Sequence, residues 1–351
     1  MSPPAAGAGQ LRADLDSIFA RLEPDWPLLK GARLFMTGGT GFIGRWMLEA
    51  LRDADKRLGL DIEAVILTRD PAAFAARAPH LASYPGFQFL EGDVLSLAAS
   101  GERFSHVIHA ATDASADLND RDPRRMFDTV VTGTRRALDL ALDAGARRVL
   151  FLSSGAVYGP QPWAVERVAE DFPGGPNCQD PKIAYAEGKR AAEMLCAIYA
   201  KQFGLDTVSA RIFAVLGPLL SLDIHFAAGN FIRDALAGRT VRVIGGGGGV
   251  RSYLYASDLT VWLWAMLLRA DRGAVYNVGS EESVSIADLA RRISGLLGDS
   301  GFEILGQPDP GWNLGRYVPS TLLIRQELGL LAEIGLDDAI RRTAIWNGWK
   351  S

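Results

Sequence analysis

The sequence predicts an α/β chain built on a doubly wound parallel sheet, with a smaller C-terminal substrate-binding lobe. Three observations lead there. Short apolar runs of strand length alternate with stretches of helical period as far as Arg211. The glycine-rich stretch Thr37-Gly38-Gly39-Thr40-Gly41-Phe42-Ile43-Gly44 joins the first such run to a helical one. Further on, a strand-like run ends in Ser153-Ser154, and a helical stretch then opens with Tyr185 and Lys189 four residues apart.

Composition narrows the class. A chain of 351 residues suggests two domains, or one large domain with a lobe, and 48% hydrophobic residues fill a sizeable core. A net charge of −4 leaves no electrostatic footprint for nucleic acid. Two cysteines, Cys178 and Cys196, are too few for a disulfide scaffold or a zinc site, so a reducing cytoplasm is expected. The four histidines, His80, His106, His109 and His225, show no ligand spacing, and no metal is expected. No basic segment followed by an apolar core opens the chain, so no signal peptide is expected. Val261 to Leu268 is too short to span a bilayer; its tryptophans read as helix core.

In order, residues 1–30 form an N-terminal extension. Leu11, Leu15, Ile18, Phe19 and Leu22 recur at helical spacing, an amphipathic helix laid against the domain that begins near residue 31. Arg33-Leu34-Phe35-Met36 is a buried parallel strand, and Trp46, Met47, Ala50 and Leu51 start the helix after it. Gly39, Gly41 and Gly44 between them satisfy G-x-G-x-x-G in the strand–turn–helix context that binds a dinucleotide pyrophosphate, the Rossmann arrangement. The helix start at Phe42, Ile43 and Gly44 supplies N–H groups and a partial positive charge. The second strand, Ala64 to Thr68, ends at Arg69-Asp70. An acid at this tip reads the ribose 2′-OH of NAD, whereas a guanidinium suits the 2′-phosphate of NADP; Arg69 favours NADP(H) and Asp70 keeps NAD open. After the third strand, Phe87 to Leu90, Asp93 and Val94 approach the adenine, with helix capping an equal reading for Asp93. The fourth strand, from His106, runs into Ala110 and Ala111, small enough for backbone to approach a cofactor, and Thr112 next to them is assigned to the substrate. A helix over 123–144 leads to the fifth strand, Arg148 to Leu152.

The chemistry gathers at the end of that strand. Tyr185 and Lys189 lie on one helical face. A neighbouring ammonium and the charge of an oxidised nicotinamide both favour a phenolate, so Tyr185 is placed to exchange a proton with a substrate hydroxyl. Ser154 would bond the same oxygen. The glycine run Gly245 to Gly249 lacks the Lys-Ser/Thr of a triphosphate loop and reads as a flexible turn.

These residues carry a resemblance to the extended short-chain dehydrogenase/reductases of the NAD(P)-dependent epimerase/dehydratase family. The matching segments are TGGTGFIG (37–44), GDV (92–94), HAA (109–111), GTRRALDLA (133–141), SSGAVYG (153–159), YAEGK (185–189), ARIFAVLGP (210–218), GNFI (229–232), RSYLYASDL (251–259) and YNVGS (276–280). The resemblance covers roughly residues 32–345 and implies a catalytic Ser154, Tyr185 and Lys189, with Tyr185 and Lys189 also touching the cofactor. It matches Gly38, Gly41 and Gly44 to the family's G-x-x-G-x-x-G turn, and Asn230 and Arg251 to positions that hold the diphosphate of a nucleotide sugar. A cofactor-binding part over 31–216 and a substrate lobe over 217–351, with 274–298 interleaved into the former, are expected, as is a homodimer through the helices near 123–144 and 184–203.

Departures matter as much. Dehydratases of this family carry an acidic pair after the catalytic Ser/Thr, and decarboxylases a Glu there; this chain has Gly155 and Ala156. Val130 replaces the Asn of N-x-x-G-T, and the loop from Ser154 to Tyr185 is long. The expected activity is therefore hydride transfer on a nucleotide-diphosphate sugar, at C4, as an epimerase or as a 4-ketoreductase. Reduction of a non-sugar carbonyl and a non-catalytic dinucleotide sensor are the alternatives.

Overall fold

The computed structural model describes residues 5–98, 101–112, 116–223, 227–307 and 315–350. His225 and residues 308–314 of the expected substrate lobe lie outside these. Six strands come first in the chain: β1 (Arg33–Thr37), β2 (Glu63–Thr68), β3 (Phe87–Glu91), β4 (His106–His109), β5 (Arg148–Ser154) and β6 (Thr207–Ile212). The second half adds β7 (Val215–Leu216), β8 (Val241–Val243), β9 (Val250–Ser252), β10 (Leu254–Tyr255) and β11 (Val275–Val278). Then come β12 (Ser283–Ser285), β13 (Phe302–Ile304) and β14 (Arg316–Tyr317). The helices before the chain's midpoint are α1 (Ala5–Arg21), α2 (Phe42–Leu58), α3 (Pro71–Arg77), α4 (Pro79–Ala82), α5 (Ala116–Arg121) and α6 (Pro123–Asp143). Those after it are α7 (Ala184–Phe203), α8 (Ala227–Leu236), α9 (Ala256–Arg269), α10 (Ile286–Leu296), α11 (Leu322–Leu328) and α12 (Leu336–Trp346).

Seven strands make one parallel sheet in the order β11-β6-β5-β4-β1-β2-β3. The order reverses at β1, which pairs with both β2 and β4, Met36 lying opposite Ile66 and Ile108. A crevice therefore opens between the carboxyl ends of β1 and β4, where doubly wound sheets bind ligands. Both faces are covered, and the strands read as continuous apolar runs for that reason. One face packs Ile18, Trp46, Trp262 and Leu263 from α1, α2 and α9; the other packs Val130, Leu138, Ala192 and Cys196 from α6 and α7. The apolar run in α9 is buried core, with Trp264 edge-on to Trp26 at 5.6 Å.

The smaller cluster gathers α8, α10, α12 and their short strands around Phe231, Ile232, Leu289, Ile293 and Ile340. β11 joins the large sheet beside β6, but α10 buries Leu289 and Ile293 in the smaller cluster, so the return to the sheet ends at Val278. The N-terminal helix is anchored by more than its apolar stripe. Asp14, fully buried, accepts from Tyr255 Oη at 2.6 Å and Arg342 Nη1 at 2.8 Å, tying α1 to both clusters.

Candidate functional site

A cleft of about 1290 Å³ runs from the tip of β2, past the glycine turn, to Ser154 and on to Tyr253 and Tyr317. Its floor is the turn after β1. Gly38 has φ +71°, and a Cβ there would stand 2.5 Å from the Ala110 carbonyl. A Cβ on Gly44 would collide with the Gly38 carbonyl, so helix and strand touch only because neither carries one. Gly41, by contrast, meets no protein atom closer than 3.4 Å; its missing side chain leaves room on the cleft side. A pyrophosphate fits this cradle. Phe42 and Ile43, half-buried, continue the wall.

A buried hydrogen-bond chain fixes the loop opposite. Thr37 Oγ1 accepts from Ala111 N at 3.1 Å and lies 2.7 Å from His109 Nδ1, and His109 Nε2 lies 3.1 Å from Thr134 Oγ1. Thr134 donates to Val130 O at 2.6 Å. These partners assign the protons: the Thr37 hydroxyl donates to Nδ1, and Nε2–H donates to Thr134. The imidazole is thus neutral, in keeping with burial, and then Lys189, pushing its pKa down to about 3. The chain of bonds sets Ala110 and Ala111 against the glycine turn.

At the adenosine end, Thr68, Arg69, Asp70 and Arg77 line the cleft with Asp93 and Val94. Asp70 Oδ1 caps α3 by accepting from Ala73 N at 2.8 Å. Asp93 Oδ1 likewise accepts from Leu95 N at 2.8 Å, so this carboxylate both caps a turn and faces the cleft.

At the other end, Ser154, Tyr185 and Lys189 converge. Ser154 closes β5 and its Oγ accepts from Ala156 N at 3.2 Å. Tyr185 lies in the first turn of α7, its N–H held by Asn119 Oδ1 at 3.1 Å. Burial raises its phenol above the ordinary value, and a hydrogen bond with Ser154 works against that. Lys189 does not meet the phenol oxygen. Its Nζ donates to Leu152 O at 2.6 Å and Thr112 Oγ1 at 2.9 Å, and stands 5.9 Å from the centre of the Tyr185 ring. The lowering expected from the ammonium neighbour is absent here: desolvation raises the phenol, and the Ser154 hydrogen bond is what opposes it. Burial lowers Lys189 itself to about 7, with Glu193 opposing. Thr112, assigned to the substrate from sequence, lines the cleft but is also the lysine's acceptor.

Two expected substrate residues border the cleft. Arg251 Nη1 donates to Val250 O at 2.9 Å and Gly315 O at 2.8 Å, and its charge reaches Tyr253 and Tyr317, which line the cleft, opposing the burial that raises their phenols. Asn230 sits on α8 one residue beyond Gly229, which does line the cleft. The glycine run before Arg251 meets the start of α10, where Gly247 O and Gly249 O accept from Ala287 N and Ile286 N at 2.9 Å. Beside Arg251, its strand neighbour Tyr317 lines the cleft. Tyr317 pairs with Arg251 across β14 and β9, stacks on Phe213 at 4.5 Å, and brings its hydroxyl to 3.5 Å from Ser154 Oγ. No local motif marks Tyr317; a two-residue strand pairing with one far upstream in the chain delivers it.

Glu193 was likewise unmarked. It bonds Ser153 Oγ at 2.5 Å and Arg211 Nη2 at 2.7 Å, and Arg211 Nη1 reaches Tyr158 Oη at 2.8 Å. Tyr158 donates to Asn277 Oδ1 at 2.7 Å, whose amide reaches Val168 O and Ser320 O. The network knits α7 to the segments around Val168 and Ser320. Among the described residues, no group of three His, Cys, Asp or Glu side chains is placed to hold a metal ion.

Comparison with known proteins identifies the family. Residues 34–279 match the NAD dependent epimerase/dehydratase family. UDP-glucuronic acid decarboxylase 1 of Xenopus tropicalis is 30% identical over 314 residues, covering 89% of this chain and 71% of that protein. The dTDP-glucose 4,6-dehydratase DesIV of Streptomyces venezuelae, solved with NAD bound, superposes with a TM-score of 0.76 at 26% identity, over 90% of this chain and 96% of that one. The epimerase Mth375 of Methanothermobacter thermautotrophicus gives a TM-score of 0.78 at 21% identity, over 93% and 95%, a likeness of fold. The chain belongs to the NAD dependent epimerase/dehydratase family of nucleotide-sugar enzymes.

Proposed function

We propose that this protein transfers hydride at a carbon of a nucleotide-diphosphate sugar, at C4, as an epimerase or a 4-ketoreductase, with neither elimination nor decarboxylation. One observation carries the reading. Beside Ser154, the positions where a proton-moving acid would stand hold Gly155 and Ala156, and a Cβ on Gly155 would be 2.6 Å from the Phe213 ring. That side of the site has no space for a carboxylate at 155.

The cofactor, when bound, supplies or accepts the hydride. The chain does the rest. Gly38, Gly41 and Gly44 would admit the pyrophosphate, Ala110 and Ala111 the dinucleotide's face, and Lys189 its ribose. Tyr185 exchanges the proton of the reacting hydroxyl, and Ser154 hydrogen-bonds the same oxygen. Ordering of an oxidised nicotinamide beside Tyr185 adds the positive charge that Lys189 alone does not bring to the phenol oxygen. Arg69 tilts selection towards NADP(H), which suits the reductase; a retained NAD suits the epimerase. We also assign a homodimer through α6 and α7, which present Phe127, Met194, Ile198 and Phe203 to solvent.

Replacing Tyr185 by Phe is the test. Turnover of UDP-, dTDP-, CDP- or GDP-sugars should fall by at least about a hundredfold, with thermal stability within a few degrees of the parent. Undiminished turnover would remove Tyr185 as the acid/base. The dinucleotide released on denaturation separates the two outcomes.

A further inference from the structure

The N-terminal helix carries a charge on its buried face. Asp14 lies in α1 among the apolar positions Leu11, Leu15 and Ile18, and its carboxylate is fully buried. Three donors from three elements fill it. Gln10 Nε2 of α1 reaches Oδ1 at 3.1 Å, Arg342 Nη1 of α12 reaches Oδ1 at 2.8 Å, and Tyr255 Oη of β10 reaches Oδ2 at 2.6 Å. A second buried carboxylate repeats the pattern at the end of the helix. Asp258 of α9 takes Arg21 Nη1 on one oxygen and the amides of Glu333 and Ile334, at 3.0 Å, on the other.

An apolar side chain at position 14 would hold the helix at lower cost, because desolvating a charge is expensive even when it is paired. What the carboxylate adds is register: its bonds close in one relative placement of α1, β10 and α12.

Tyr255 carries that placement to the cleft. It is fully buried and pairs with Leu216 across β10 and β7, while Leu254 pairs with Val215 and donates its N–H to Ala214 O at 3.0 Å. Ala214, Val215 and Tyr253 all line the cleft. The same helix holds the dinucleotide side: Arg12 Nη1 bonds Asp53 Oδ1 of α2 at 2.8 Å, and the first turn of α2 belongs to the pyrophosphate cradle. Among the described residues, none of α1 lines the cleft itself. We infer that Asp14 is a positioning residue for the nucleotide-sugar half of the site: through Tyr255 it sets where the wall of Ala214, Val215 and Tyr253 stands over the dinucleotide. The inference rests on the nucleotide-sugar reading of the cleft.

The test measures KM and kcat for whichever UDP-, dTDP-, CDP- or GDP-sugar the parent turns over, beside the dinucleotide Kd and the melting temperature. In Asp14→Ala the sugar KM should rise about tenfold, with kcat within about threefold and the dinucleotide Kd within about twofold. Asp14→Asn, which keeps an oxygen for Tyr255, should recover part of the loss. Tyr255→Phe should raise KM in the same direction, and adding it to Asp14→Ala should change KM little further, since both act on one bond. Leu15→Ala, which thins the apolar stripe of α1 and leaves the Asp14 bonds intact, should lower the melting temperature at the parental KM. An unchanged KM in Tyr255→Phe, an equal loss of dinucleotide affinity, or a KM rise in Leu15→Ala matching that of Asp14→Ala would overturn the inference. Tyr255→Phe removes a single oxygen, so it decides the matter even if Asp14→Ala does not fold. A parent that turns over none of these sugars would remove the proposed function, and the positioning role with it.

Discussion

The buried histidines make acid sensitivity predictable in sign and size. His109 and His106 are 2% and 8% exposed, and burial holds their folded pKa values to about 3 and about 4 against an ordinary 6.5. Arg147 and Arg148 reinforce the shift at His106, as Lys189 does at His109. A base whose folded pKa is depressed binds fewer protons folded than unfolded, so stability falls as pH drops below 6.5 and continues to fall towards the folded value. At about 1.4 kcal/mol per pH unit, each histidine removes about 2 kcal/mol by pH 5, and the pair about 4. That is a large share of the roughly 5–15 kcal/mol that holds a native protein. Buried carboxyls act oppositely: Asp14, Asp25 and Glu170 are raised by desolvation and so gain stability on protonation. The informative comparison is therefore between slopes. Urea unfolding of the parent and of His109→Gln, at several pH values between 7 and 5, should show the variant losing about 2 kcal/mol less over that interval. An identical pH slope in His109→Gln would refute the neutral buried imidazole and the proton assignment built on it.

Gly38→Ala should abolish dinucleotide binding and lower the melting temperature, because its Cβ would meet the Ala110 carbonyl at 2.5 Å in a left-handed conformation; calorimetry and cofactor titration read both. Glu193→Gln breaks a largely buried pair with Arg211 and should cost about 3–5 kcal/mol in urea unfolding. It also removes the carboxylate that raises Lys189, so the alkaline limit of cofactor binding, set by loss of the lysine proton, should move to lower pH. Tyr317→Phe removes only long hydrogen bonds, to Ser154 Oγ and to Ile212 O at 3.4 Å, so stability should change by less than about 1 kcal/mol while kcat/KM falls by about tenfold.

The features legible in the sequence were local or periodic. The glycine turn, the strands from Arg33 to Ser154 and the Tyr185–Lys189 spacing are each written within about a dozen residues, because a turn needing missing Cβ atoms and a helix face four residues apart leave direct marks. The buried α9 was legible for the same reason: an apolar run that short has no other home. Whatever depends on distance in space was settled by packing. Arg251 matched a family position, but only the pairing of β14 beside β9 gave its guanidinium the Gly315 carbonyl and brought Tyr317 into the cleft next to it. Lys189 sat on the expected face, but its Nζ donates to the Leu152 carbonyl and Thr112 Oγ1, and burial governs the Tyr185 phenol. The Glu193–Arg211–Tyr158–Asn277 network joins residues up to 119 positions apart, and no spacing in a single sequence records it. Hydrogen bonds between side chains act over about 3 Å, and only the packed sheet and its covering helices determine which groups come that close.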